Sequence, residues 1–125
     1  WTKLMFIAPV AGLTSTCRAN LGVLMEDVEQ RELLSEAMVE IENVGRAHGV
    51  NLEPDVVQQT MAFVQHEAKD ITASMHIDLA RGRRLELDAF SGAVVRLGAE
   101  KEVVTPIHRS FYLALKPHVN GPPRG

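Results

Sequence analysis

Residues 74–92, from Ser74 to Gly92, read SMHIDLARGRRLELDAFSG, and the reading of this stretch decides between an all-helical chain and a mixed one. Thr72 to Ala80 reads as a short helix with Gly82 just past its end. Beyond it, Leu85, Leu87 and Ala89 alternate with Glu86 and Asp88, which is a strand pattern. Phe90, Ala93, Val94 and Leu97 instead continue from Glu86 at spacings of three and four, which is a helical one. Helix is favoured, because no partner strand is visible elsewhere and one strand cannot make a sheet. On that reading Glu86 shares a face with Phe90, Ala93 and Leu97, so its carboxylate points toward apolar surroundings and needs a compensating partner. The plainer alternative turns Glu86 outward near the helix start, where the positive end of the dipole favours an acid, and geometry alone prefers it.

Working outward, the flanking sequence is helical. After Asp27, the residues Val28, Leu34, Ala37, Met38, Ile41 and Val44 recur at helical spacing, Asp27 and Gln30 make a capping-box pattern, and Gly49 is a stop. Pro54 suits a first helical turn, and Val57, Met61 and Val64 carry a predicted helix from about Pro54 to Lys69. Thr105 before Pro106 is another cap and first-turn pair, leading into Phe111, Leu113, Ala114 and Leu115. Pro117 ends that helix, and residues 118–125 read as a disordered tail. At the front, Thr2 caps a helix through Leu4, Met5, Phe6 and Ile7, with Pro9 bending it and Gly12 loosening its end. The expectation is an all-α domain of about six helices, given usual helix lengths.

Composition bounds the function. At 125 residues the chain is one domain's worth, and 46% hydrophobic with 23% charged residues is ordinary for a globular protein. The longest apolar run, Leu4 to Leu13, is too short to span a bilayer. Thirteen basic against sixteen acidic residues leave a net charge of -3, with only Arg81, Arg83 and Arg84 clustered, which disfavours nucleic acid. The single cysteine, Cys17, permits no internal disulfide and reads as a passive thiol in a reducing cytoplasm. A chain that opens on Trp1 and enters an apolar run at once reads as a piece cut from something longer.

Few residues carry chemistry. Lys3 lies in a first helical turn, at the unfavourable end of the dipole, beside Trp1, Leu4 and Phe6. A lysine that packs its stem and keeps its amine in water is the plain reading. Two misplaced charges of opposite sign, Lys3 and Glu86, nevertheless suggest each other as partners. If they meet in a cleft, Lys3 can donate a proton to a carbonyl oxygen while Glu86 orients it, with Ser74 binding an anion nearby. The histidines His48, His66, His76, His108 and His118 are scattered, and no metal site is expected. The glycines stand apart, so no dinucleotide fingerprint is present.

Two motifs occur together: W-T-K-L at Trp1 to Leu4, and S-M-x-x-D-x-x-x-G at Ser74 to Gly82. With G-L-T at Gly12 to Thr14, the Gly49-Val50 helix end, E-L-D at Glu86 to Asp88, G-A-V-V-R-L-G at Gly92 to Gly98 and T-P at Thr105 and Pro106, they resemble the C-terminal domain of the ketopantoate reductase family. The resemblance runs to about Pro117. It implies a multi-helix bundle like the 6-phosphogluconate dehydrogenase-like C-terminal domain, with residues 1–117 forming a substrate-binding and catalytic unit. An N-terminal Rossmann domain that binds NADPH would lie outside this chain, which alone is expected to be inactive.

By the same resemblance, Lys3 protonates the ketone during hydride transfer, Glu86 hydrogen-bonds the substrate's reacting oxygen, and Ser74 contacts its carboxylate. The substrate is then a small-molecule 2-keto acid reduced in pantothenate biosynthesis, and the partners are the chain's own Rossmann domain and a second copy in a homodimer, with no membrane. The family usually carries asparagines four and eight residues beyond the lysine, where this chain has Ile7 and Ala11, so a substrate with a more apolar tail is expected. Ser91 replaces a further asparagine and is assigned no role. The competing expectation is a non-catalytic binding or dimerisation module that meets protein through Ile7, Ala11 and an exposed apolar face of the first helix.

Overall fold

The computed structural model describes residues 1–124. Its elements are α1 (Thr2–Cys17), α2 (Leu21–Leu24), α3 (Val28–Ala47), α4 (Val56–Glu67), α5 (Ser74–Ala80), α6 (Ser91–Glu100) and α7 (Pro106–Leu115), followed by a 3-10 turn over Lys116–His118. No strand occurs among the described residues, so the all-α expectation holds.

The helix α1 is the axis of the bundle, packing against α3, α4, α5, α6 and α7. Its sequence explains this position: Ala8 to Ser15 are buried without interruption, and a helix that is apolar all round has no face to give to water. Pro9 lies inside it without ending it, and the helix stops at Arg18, whose left-handed φ of 52° lets its N–H bond the Thr14 carbonyl. Gly12 does not loosen the end. A Cβ at that position would collide with the Phe111 ring, so the glycine is what lets α7 approach α1.

Met5, Leu13, Leu34, Met38, Ile41, Val64 and Val94 form the main core with the ring of Phe111. Fully burying one such side chain contributes about 1.5–3 kcal/mol. A second, smaller cluster holds Ala11, Met75, Leu85, Leu87 and Leu115.

Several local expectations shift. Asp27 caps α3 by accepting from the Glu29 N–H at 3.3 Å, but the reciprocal half of the capping box does not form. The short helix α2, not foreseen, ends by using the Asp27 N–H for a bond to the Leu24 carbonyl, which leaves the Gln30 side chain nothing to accept from its cap. Pro54 and Asp55 form a turn ahead of α4 rather than its first turn. Thr105 makes no side-chain cap for α7. Glu40 of α3 takes that role, accepting from the Ile107 N–H at 2.8 Å and the His108 N–H at 3.0 Å.

The largest correction falls on residues 85–90, expected as helix and found as an extended piece followed by a turn. Leu85 and Leu87 are buried and Glu86 and Asp88 exposed, so the period-2 alternation is real. It makes no sheet because its partner is a single tail segment: the Leu85 N–H donates to the Val119 carbonyl at 2.9 Å. His118 and Val119 are accordingly half-buried, Asn120 is exposed and Gly121 is buried. Gly121, at φ 107°, is buried against Gly82, and a Cβ there would lie 3.0 Å from the Gly82 carbonyl oxygen.

Candidate functional site

Lys3, Ile7 and Ala11 occur at intervals of four along α1 and so run as one stripe down the helix. The stripe passes from exposed Lys3 through half-buried Ile7 to Ala11, which is 3% exposed. Lys3 lies about 12 Å along the axis from Ala11, at 1.5 Å per residue. Ala11 packs in the small cluster with Met75, Leu85 and Leu87.

That cluster joins the segments that carry the three predicted site residues, with Lys3 two turns away from it along α1. Ser74 is the first residue of α5 and exposed, one position before buried Met75. Glu86 is exposed between buried Leu85 and Leu87, so alternation turns it away from the cluster that anchors its neighbours. Of the two orientations weighed for Glu86, the apolar helix face is not found: there is no helix at this position, and the carboxylate is exposed, as in the outward alternative that geometry preferred. Lys3 and Glu86 form no direct ion pair with each other among the described residues. What the fold brings together is the three segments that carry Lys3, Ser74 and Glu86.

Beside Glu86 lies a hollow of about 420 Å³, with Asp78, Arg84, Asp88 and Asn120 on its walls. Arg83 approaches Asp78 at 3.9 Å, a half-exposed pair that ties the end of α5 to the loop after it. Arg84 and Asn120 add hydrogen-bond donors to a rim otherwise acidic, and Asn120 is present only because the tail is clamped at Val119.

Sequence reasoning missed the buried polar pair of the interior. His108 is fully buried, with Nε2 2.9 Å from the Ala37 carbonyl and Nδ1 without a partner. The carbonyl can only accept, so Nε2 carries the proton and a second one would sit on a buried, unpaired Nδ1. Burial pushes the imidazole down from its ordinary 6.5 to about 4, against a smaller opposing effect of the Ala37 bond. Burial likewise raises the Glu40 carboxyl, partly offset by its bonds from Ile107 and His108. Glu40 was detectable, since it falls on the apolar stripe of Ala37, Ile41 and Val44 where an acid needs a reason. Both groups hold α3 to α7. Partial burial raises the Cys17 thiol, which fits the passive reading. No group of three or more potential metal ligands forms among the described residues.

An all-helical domain with one helix threaded through it, and with Lys3, Ser74 and Glu86 on segments sharing a small cluster, has known relatives. The family model described as the ketopantoate reductase PanE/ApbA C terminal matches residues 1–119, and the chain belongs to that family. A 2-dehydropantoate 2-reductase of Pyrobaculum aerophilum is 28% identical, covering 93% of this chain and 41% of the relative. One from a Nostoc species is 32% identical, over 93% of this chain and 36% of the relative. Among solved structures, a dimeric ketopantoate reductase of Staphylococcus aureus superposes with a TM-score of 0.87 at 24% identity, covering 94% of this chain and 41% of that one. A PanE/ApbA family ketopantoate reductase of Ralstonia eutropha gives 0.84 at 26% identity, over 94% of this chain and 39% of that one. The chain thus spans about two fifths of the length of the relatives it matches.

Proposed function

We propose that this chain is the helical substrate domain of an NADPH-dependent reductase that converts a 2-keto acid to its 2-hydroxy acid. The observation that carries the reading is the family match over residues 1–119, together with the convergence of the Lys3, Ser74 and Glu86 segments on one small cluster. The described residues hold no glycine-rich turn between a strand and a helix, so they offer a dinucleotide no phosphate cradle of their own. NADPH, held mainly by an N-terminal Rossmann domain, supplies the hydride. The side chains of this chain do the rest: Lys3 Nζ donates a proton to the carbonyl oxygen as charge develops there, the Glu86 carboxylate orients Lys3 and the reacting oxygen, and Ser74 Oγ donates to the substrate carboxylate.

Ketopantoate is one substrate of this class, and its reduction would place the protein in pantothenate synthesis. Half-buried Ile7, at the first of the family's two asparagine positions, offers an approaching tail an apolar surface and no hydrogen bond, which favours an analogue with a more apolar tail. Ala11, at the second, is buried against Met75, Leu85 and Leu87 and supplies no amide there. The buried position of Ala11 and the contacts of α1 with all six other helices count against the contact face of the non-catalytic alternative, which keeps only half-buried Ile7. No helix among the described residues is long and apolar enough to cross a membrane, and the lone cysteine fits a cytoplasmic location. A second copy of the chain is the remaining partner in this reading.

The test is NADPH oxidation by this chain joined to its N-terminal domain, with ketopantoate compared against a matched 2-keto acid lacking the terminal hydroxyl. Faster turnover of the hydroxyl-free acid is expected. Lys3→Ala should lower turnover by about 10² to 10⁴-fold, and wild-type rates in that variant would remove Lys3 from the chemistry.

A further inference from the structure

Three basic side chains meet at the far end of α1 from Lys3. A hollow of about 230 Å³ is lined there by Arg18, Arg83 and His118, with Gly82, Gly121 and Pro122 among its other walls. The three come from separate parts of the chain: Arg18 follows α1, Arg83 follows α5, and His118 ends the 3-10 turn. None of the lining residues is acidic, although the chain carries sixteen acids against thirteen bases. Arg18 lies about 22 Å along the axis from Lys3, at 1.5 Å per residue. The hollow shares no lining residue with the one beside Glu86.

The backbone around this hollow is tied down. Gly82 and Gly121 both have positive φ, at 66° and 107°, and the close approach of Gly121 to the Gly82 carbonyl lets the loop after α5 meet the tail backbone to backbone. Pro122 closes over Gly82, where a Cβ would lie 3.2 Å from its ring. That contact brings Arg83 and His118 to one place. Arg18 arrives under strain: it holds φ 52° past the end of α1, where glycine is the unstrained choice and an arginine gains nothing from the backbone. Among the described residues neither Arg18 nor His118 takes part in an ion pair. Arg83 comes within 3.9 Å of Asp78, outside hydrogen-bond distance, so that contact uses none of its guanidinium N–H groups.

We propose that this hollow binds a phosphate group, free or as a monoester. Two arginines gathered at a hollow with no carboxylate repel each other until an anion joins them. Guanidinium groups match phosphate and carboxylate alike, and hydrogen bonds from them to an anion are stronger than neutral ones. Phosphate is the better fit, because donors brought from three segments suit a tetrahedral dianion, whose oxygens accept from several directions. A planar carboxylate is satisfied by one guanidinium fork. The assignment does not depend on the reaction proposed above.

Calorimetric titration with inorganic phosphate tests it, at constant ionic strength and on this chain joined to its N-terminal domain. Saturable binding is expected. Arg18→Gly should weaken it by about tenfold or more while leaving the fold intact, because glycine suits φ 52°. Arg83→Gln should weaken it by a similar factor. Arg81→Gln is the control: Arg81 is exposed and does not line the hollow, so its loss should change the affinity by less than about twofold. Glycerol phosphate distinguishes the sources. Tighter binding of the ester identifies a phosphorylated metabolite as the ligand, and tighter binding of the free ion identifies phosphate itself. Acetate bound as tightly as phosphate overturns the phosphate class. Binding that Arg18→Gly and Arg83→Gln leave unchanged lies elsewhere, for instance on the adjoining domain, and overturns the site. An equal loss in Arg81→Gln means that diffuse surface charge attracts the ion, which overturns it too, as does the absence of saturable binding.

Discussion

The helix α3 and the segment 85–90 are both built from alternating stretches of apolar and charged residues, yet one is regular and the other is not. In α3 the apolar residues repeat over five turns and are matched by a long central helix to pack on, so period and partner agree. In 85–90 two periods overlap within six residues, and the outcome is set by remote contacts: the bond from Leu85 to Val119 and the burial of Leu85 and Leu87 against Ala11, Met75 and Leu115. The difference teaches where local pattern has authority. A long pattern fixes its own structure, while a short one takes whatever structure its neighbour permits.

The comparison can be broken most forcefully in α3. Ile41→Ala opens a cavity in the fully buried main core and should cost about 4 kcal/mol of stability in chemical denaturation. A loss below about 1 kcal/mol would show that the main core is loosely packed.

Next in size is a pH effect at the α3–α7 junction. The folded His108 has its pKa lowered from 6.5 to about 4, so the unfolded chain binds more protons between those values. Stability from this group is present above pH 6.5 and is lost as the pH falls to about 4, by an order of about 3 kcal/mol. Glu40, whose pKa is raised, opposes part of this, because its folded form takes up a proton more readily than the unfolded one. His108→Gln should flatten the acid limb of the stability curve, and an unchanged limb would assign it to other groups.

On the other side, Leu87→Ala should cost less than Ile41→Ala, about 2 kcal/mol, because a short turn relaxes around a lost side chain more easily than a long helix does. Hydrogen exchange should locate the loosening at residues 85–90 and the tail, leaving α3 protected. Equal loosening of α3 would mean that the two clusters form one cooperative unit. The smallest effect is Gly121→Ala, about 1 kcal/mol, from placing a Cβ at φ 107° and against the Gly82 carbonyl. If the clamp matters to the hollow around Glu86, this variant should also speed exchange at the Leu85 N–H.

The proposed site rests on what was legible in the residues: Lys3 and Glu86 stood out as charges among apolar neighbours, and Ser74 by a motif that resembles the family's. The outward orientation of Glu86 was anticipated as the plainer alternative but for the wrong reason, a helix start, where alternation between buried Leu85 and Leu87 is what turns the carboxylate out. The dual role of α3, which caps α7 through Glu40, was visible only as an acid on an apolar stripe.

The sequence by itself determined the helical class, because α1, α3, α4 and α7 each carry enough consecutive turns for one period to dominate. That α1 is central came from the structure, and it accords with the unbroken apolar surface of residues 8–13. Only the tertiary structure decided what happens at 85–90, at the tail and at the N-terminus of α7. There the partners are remote in the chain, Val119 for Leu85 and Glu40 for Ile107 and His108, and a backbone N–H takes whichever acceptor folding delivers to it.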